Sequence, residues 1–185
     1  MPTNLSVKDF IKQSNIVLDE AIAALPPHNP PAIINYNSGY TPSYWYNKLH
    51  LSDIERRFNL PGKLLLHLID IESKGDPNAV SKRGARGLFG VMPSQISGYK
   101  GDINNPAETA IFVAKTLREL ADTFGGYEKA LAAYNWGRGH LAKHGLRNAP
   151  YQTRHYINHF KKKGVLDNKY AANSWGEEDF KDSWE

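Results

Sequence analysis

Hydrophobic positions recur three or four residues apart in several separate segments, which predicts a mainly helical protein. Residues 6–25 follow this spacing, and four prolines within residues 26–31 favour an extended connector after them. Residues 33–50 mix aromatic side chains with turn formers, so we expect irregular structure there with at most a short strand. Together these segments define a predicted N-terminal region, residues 1–50.

The pattern becomes clearer after residue 50. Ser52 and Glu55 have the spacing of a reciprocal helix cap, which predicts a short helix at this point. A largely buried helix follows over residues 64–72 and ends before Gly75-Asp76-Pro77. Residues 76–104 are rich in turn formers and predict a loop with a small hairpin.

Three more helices are predicted in the second half of the chain. Asn105 followed by Pro106 is typical of a helix start and predicts a helix to Phe124, with glycines after it. Further helices are expected from residue 127 to about 135 and from about 150 to 163. Residues 51–165 are therefore predicted to form one domain, followed by an acidic, mobile tail over residues 166–185.

Composition excludes several classes of protein. The chain has 185 residues, of which 41% are hydrophobic, so it can bury a core and is not wholly disordered. It has no cysteine, which excludes disulfides, a cysteine nucleophile and cysteine-ligated metals. We also expect no export signal and no transmembrane segment, because no basic and apolar leader or long apolar run occurs.

The charge is unevenly distributed. The formal net charge is +4, but residues 174–185 carry −4, so residues 1–173 carry +8. This surplus favours a polyanionic partner such as nucleic acid, an anionic lipid surface or an acidic cell-wall polymer.

Glu72 is the most informative single residue. It follows Leu65 by seven positions and Leu68 by four, so it falls on the apolar face of its helix. Desolvation would raise its pKa and hold a proton near neutral pH, as a general acid requires. The alternative is that this terminal side chain turns to water or pairs with Lys74 or Arg83.

The residues around Glu72 form part of a longer pattern. Three blocks occur in order, and they read Glu72-Ser73-(x)2-Asp76-Pro77-Asn78-Ala79-Val80-Ser81-(x)2-Gly84-Ala85-Arg86-Gly87-Leu88-(x)3-Met92-Pro93, Ala133-Tyr134-Asn135-Trp136-Gly137, and Thr153-Arg154-His155-Tyr156-Ile157. This pattern resembles the lytic transglycosylases of the soluble, goose-lysozyme-like superfamily, and it covers about residues 58–164. Gly90, where the family usually has Gln, and Gln152, where it often has Glu, depart from the pattern.

The resemblance implies a lysozyme-like α+β fold that is mainly helical, with a small β or loop region after the catalytic helix. It implies cleavage of the β-1,4 bond between N-acetylmuramic acid and N-acetylglucosamine in peptidoglycan, without a cofactor and with a 1,6-anhydro product. Glu72 would act first as acid and then as base, because the substrate's N-acetyl group and 6-hydroxyl replace a second carboxylate.

The resemblance also implies a set of substrate-binding residues: Ser73, Ser81, Gly87, Met92, Tyr134, Asn135 and Tyr156. The two tyrosines would orient or hydrogen-bond the Glu72 carboxyl, and Asn135 would bind an acetamido group. Each has a plainer alternative, because tyrosines pack in cores, Asn and Ser cap helices or close turns, and glycines satisfy tight turns.

We expect no metal site, because the seven histidines form no His-Glu-x-x-His array and the pairs His140/His144 and His155/His159 are weak signals. The expected partners are peptidoglycan strands and, through residues 1–50, other virion proteins, with no specific nucleic acid. The expected setting is a phage virion, or the host cytoplasm with release of an endolysin to the cell wall. The alternatives are a hydrolytic muramidase on the same fold, a weakly active wall-binding virion protein, and a basic nucleic-acid binder.

Overall fold

The structure is a computed structural model and describes residues 40–96, 101–102 and 104–166. The described part of the chain contains seven α-helices, which are α1 (Pro42–Lys48), α2 (Leu51–Arg57), α3 (Leu64–Glu72), α4 (Pro106–Phe124), α5 (Tyr127–Trp136), α6 (Arg138–His144) and α7 (Tyr151–Lys162). Short 3-10 turns lie at Pro93–Ile96 and Leu146–Asn148. The predicted helix at 6–25, the proline-rich connector and residues 167–185 of the predicted tail lie outside the described residues. Leu166, the first residue of that predicted tail, is 8% exposed and packs in the core, so the tail does not begin there.

Helix α5 is the centre of the packing. It contacts α4, α6 and α7, while α3 packs against α1 on one side and α7 on another. The core is formed by fully buried side chains from these helices, among them Leu65, Leu68, Leu117, Leu131 and Phe160. Removal of these apolar side chains from water stabilises the arrangement. No helix in the described ranges is long and apolar enough to cross a bilayer.

The stronger helix predictions are confirmed. Helices α2, α3, α4, α5 and α7 lie where the sequence places them. At the start of α4, Asn105 Oδ1 accepts a hydrogen bond of 3.0 Å from the Ala107 backbone N–H, and Pro106 occupies the first turn. The helix ends at Gly125, whose φ of 80° is left-handed. Local capping chemistry is therefore sufficient to define this element.

Two helices and one hairpin depart from the predictions. Residues 42–48, expected to be irregular, form α1, which begins with a Thr41 cap and a proline in the first turn. Helix α6 was not predicted at all, because it has only seven residues and begins beside Gly137. In place of a hairpin, Arg86 forms isolated bridges with Val80 and Val91, and the described residues contain no strand. The mainly helical character is thus established, whereas a β region is not.

Helix α1 packs on the core of the predicted domain, although its residues lie in the predicted N-terminal region. Trp45 is 9% exposed and belongs to the same buried cluster as α3 and α7. Its indole Nε1 donates a hydrogen bond of 2.8 Å to the Gly75 carbonyl, just beyond the end of α3. Residues 40–48 therefore support the C-terminal end of α3, while the domain boundaries themselves stay predictions.

Glu55 supports the opposite end of α3. The sequence predicts that Glu55 pairs with Ser52 in a cap, and this prediction is wrong. Its carboxylate is 2% exposed and accepts hydrogen bonds from the Tyr46 hydroxyl (2.7 Å) and from the backbone N–H groups of Lys63 (2.9 Å) and Leu65 (2.7 Å). The first N–H groups of a helix lack partners within the helix, and the positive end of its dipole favours an anion. Glu55 therefore fastens the start of α3 to α1 and α2.

We expect Glu55→Gln to lower the free energy of unfolding by about 1–3 kcal/mol, because an amide cannot accept all three hydrogen bonds and its NH2 group would face a backbone donor. Urea unfolding followed by circular dichroism measures the change. Glu119→Gln is the matched control, because this side chain is 48% exposed on α4 and should change stability by less than about 0.5 kcal/mol. Equal losses in the two variants would contradict the role of Glu55.

Candidate active site

Glu72 lies at the last position of α3 and turns into the protein. Its Oε1 accepts a hydrogen bond of 2.7 Å from the hydroxyl of Tyr156 on α7. Tyr156 is 5% exposed, so this donor is held in place by packing. The geometry therefore matches the prediction that Tyr156 hydrogen-bonds the Glu72 carboxyl. The alternative, in which Glu72 pairs with Lys74, does not occur, because Lys74 Nζ bonds Asp70 instead.

The protonation of Glu72 is set by its enclosure. Burial raises the pKa of Glu72 to about 7, and the hydrogen bond from Tyr156 opposes this shift only in part. The position at the carboxyl end of α3 also favours a raised pKa, because the helix dipole places partial negative charge there. Near neutral pH, Glu72 can therefore both release and accept a proton.

The loop of residues 88–90 covers the Glu72 carboxyl and is fastened from two sides. Ser73 Oγ donates a hydrogen bond of 2.9 Å to the Leu88 carbonyl, and Tyr134 on α5 donates one of 2.8 Å to the Phe89 carbonyl. Tyr134 thus hydrogen-bonds the loop and not Glu72, so the expected hydrogen bond between them is not formed. Its hydroxyl nevertheless lies near Glu72, because burial and the Glu72 charge both raise the pKa of Tyr134. Ser73 and Tyr134 therefore hold the loop of residues 88–90 in position against Glu72.

Gly90 explains why this loop can lie so close to the acid. Its φ is +62°, and a Cβ at this position would overlap Glu72 Oε2 and lie 2.8 Å from Glu72 Cδ. Any larger side chain, including the Gln that the family pattern favours here, would require the loop or the carboxyl to move. Glycine at position 90, in place of the glutamine usual in the family, therefore allows the loop to lie against the Glu72 carboxyl.

The remaining predicted binding residues are placed as follows. Asn135 is exposed, and its Oδ1 accepts a hydrogen bond of 2.9 Å from Thr153, which fixes the amide at the end of α5. Ser81 Oγ accepts from the Ala85 N–H at 3.0 Å, which is the turn-closing role. Gly87 has a φ of +73° and donates to the Ala79 carbonyl at 3.0 Å, which is a turn role as well. Met92 is half-buried. Contact of these residues with a glycan stays a prediction.

A cavity of about 580 Å³ lies beside these segments. Its lining includes Ser94 and Gln95, which follow Met92, and Gly137 and Arg138, which follow Asn135. Glu72 is not among its lining residues, so the cavity adjoins these segments without reaching the acid itself.

Sequence reasoning missed several residues that the fold brings together. Thr153 orients Asn135, but a buried threonine carries no signal of its partner in the sequence. Lys161 is 8% exposed and forms an ion pair of 2.7 Å with Glu128 on α5, and no sequence spacing connects these two residues. His67, Asp70 and His159 also converge, from α3 and α7, although histidine pairs within one helix do not connect them.

The raised pKa of Glu72 predicts a pH-dependent effect on stability. Because its pKa rises from near 4.5 to about 7 on folding, the stability that the protonated group contributes is present below about pH 4.5 and is lost as the pH rises through 7. Glu72→Gln is always neutral, so relative to the wild type its free energy of unfolding should rise by about 3 kcal/mol between about pH 4.5 and pH 8. Urea unfolding across this range measures it, with Glu119→Gln as the control. A difference that does not vary with pH would show that the carboxyl is not enclosed in solution.

Comparison with known proteins agrees with this site. A family model described as "Transglycosylase SLT domain" matches residues 51–157, which include Glu72, Tyr134 and Tyr156. The chain is 34% identical over 83 residues to a protein of Enterobacteria phage PRD1 named "Transglycosylase". That alignment covers 44% of this chain and 31% of the phage protein, so the chain spans about a third of this relative's length. Because the family model covers more than half of its residues, the chain belongs to the transglycosylase SLT domain family.

Proposed function

We propose that this protein is a peptidoglycan lytic transglycosylase that cleaves the β-1,4 bond between N-acetylmuramic acid and N-acetylglucosamine and leaves a 1,6-anhydro product. The observation that carries the proposal is the Glu72 carboxyl, enclosed at the end of α3 with a pKa near 7 and a hydrogen bond from Tyr156. Family membership supports the same reaction class.

In the first step, protonated Glu72 donates its proton to the glycosidic oxygen while the bond from C1 of the muramic acid breaks. Most glycosidases stabilise the resulting positive charge with a second carboxylate. The neighbouring acids are engaged elsewhere, since Asp70 pairs with Lys74 at 2.9 Å and Asp76 accepts from the Asn78 N–H at 2.8 Å. The N-acetyl group of the substrate supplies the stabilisation in this proposal.

In the second step, the Glu72 carboxylate accepts the proton of the 6-hydroxyl as that oxygen bonds to C1. The C1–O6 bond replaces the bond that broke, the proton returns to Glu72, and no water is consumed. The Tyr156 hydroxyl stabilises the carboxylate between the two steps, because it already donates to Oε1. A single carboxyl with a pKa near 7 can act as the acid in the first step and as the base in the second.

The surroundings of this reaction are also part of the proposal. Asn135 is exposed beside the site and is suited to an acetamido group, and the net charge of +8 over residues 1–173 favours an acidic wall polymer. The phage origin of the named relative supports a phage enzyme, either virion-borne or released to the wall as an endolysin, with residues 1–50 as the contact to other virion proteins.

Product analysis tests the function directly. Wild-type protein incubated with purified peptidoglycan should release muropeptides with 1,6-anhydro-muramic acid, identified by mass spectrometry, and Glu72→Gln should lower the rate by about 10²–10⁴-fold. Asp53→Asn is the control for folding and purity, because this side chain is 59% exposed on α2. Reducing muramic acid in the products would establish a muramidase instead, and intact glycan with wild-type protein would favour a wall-binding protein.

Gly90→Ala tests the enclosure of the acid. The added Cβ would displace the Glu72 carboxyl, so we expect about 100-fold less release of anhydro-muropeptides, because a shift of about 1 Å at a reacting group has this scale of effect. Gly125→Ala is the matched control, since Gly125 has a similar φ of +80° and open space around its Cβ position. It should cost about 1–2 kcal/mol of stability without loss of rate. Equal rates in the two variants would count against the role of Gly90.

A further inference from the structure

His67, Asp70 and His159 form a cluster that the proposed reaction does not use. His67 and Asp70 lie three residues apart on α3, so they share a helix face, and His159 reaches them from α7. One ligand atom from each residue can be chosen so that all lie within 4.8 Å of one another. Two imidazoles and one carboxylate are a common ligand set for zinc-class divalent cations.

His159 has a polar atom for which the fold provides no hydrogen bond. Its Nε2 is buried and forms none with the described residues, although Asp70 Oδ2 lies only 3.5 Å away. Buried polar atoms are usually satisfied, and one that is not calls for a missing partner. A cation between the imidazole and the carboxylate would be such a partner.

The two imidazoles already lie close together. The rings already face each other edge to face, with their centroids 5.9 Å apart.

Positive charges around the cluster act against a bound cation. Lys74 Nζ lies 2.9 Å from Asp70 Oδ1, and Lys63 and Lys163 act on the imidazoles from a distance. Lys74 is the direct competitor for Asp70, but its side chain is 75% exposed and can move into solvent. The other carboxylate oxygen of Asp70, Oδ2, faces His159.

We propose that His67, Asp70 and His159 form a binding site for a zinc-class divalent cation that ties α3 to α7. The ligand atoms of a tetrahedral zinc site lie about 3.4 Å apart, so these side chains would have to close by roughly an ångström. The same two helices carry the Glu72–Tyr156 hydrogen bond, so a cation here would hold the two elements of the candidate active site together from another side of α3.

Calorimetric titration of the full chain, free of any affinity tag and stripped with EDTA, tests the site with ZnCl2. We expect one strong site, a rise in Tm of about 5 °C or more at a hundredfold excess over Kd, and visible absorption bands when Co²⁺ replaces zinc. His67→Gln and His159→Gln should each weaken binding at least tenfold. Lys74→Gln should strengthen it several-fold, because the competing cation is removed.

The control is the double variant His140→Gln/His144→Gln. These two residues form another histidine pair, with ring centroids 6.3 Å apart on α6, and the variant should bind zinc like the wild type. The proposal fails if zinc binding is lost in this control but kept in His159→Gln. It also fails if Lys74→Gln and wild type bind equally, or if zinc leaves the Tm of the wild type unchanged. None of these readouts requires activity on peptidoglycan, so they decide the metal site separately from the proposed function.

Discussion

The enclosure of one carboxyl group at the end of a helix is the constraint on which the site depends. Glu72 is half-buried, the loop at residues 88–90 lies against its carboxyl, and the Tyr156 hydroxyl donates a hydrogen bond to it. Burial of an acid disfavours its charged form, so an unpaired buried carboxylate costs folding free energy. The surrounding packing stabilises this costly arrangement, and the chemistry of the site follows from it.

The enclosure requires α3 to be fixed at both ends, and other elements provide this. Glu55 accepts hydrogen bonds from the first N–H groups of α3, while Trp45 donates to the Gly75 carbonyl beyond its last turn. Ser73 joins the end of the helix to the covering loop. Fixing only one end of α3 would leave the carboxyl free to swing out. The position of Glu72 therefore depends on contacts from three separate elements, which are α1, α2 and the loop at residues 88–90.

Much of the helical architecture and the place of Glu72 on an apolar helix face were predictable, because both rest on local patterns. Asn105 and Pro106 define the start of α4, and the spacing of Glu72 from Leu65 and Leu68 places it on the buried face. The details of the site were not predictable, because they depend on which chain segments meet in space. Whether a tyrosine donates to Glu72 or to the Phe89 carbonyl is decided by the relative placement of α5, α7 and the loop, and no sequence spacing encodes that choice.

Helix α1 has a practical consequence for any shortened form of the protein. The family match begins at residue 51, but Trp45 and Tyr46 lie before it. Trp45 donates to the Gly75 carbonyl just beyond α3, and Tyr46 donates to Glu55, which in turn binds the first N–H groups of α3. A truncation cut at that boundary would keep every motif residue and yet remove both anchors. A shortened form that keeps both contacts has to begin before Trp45.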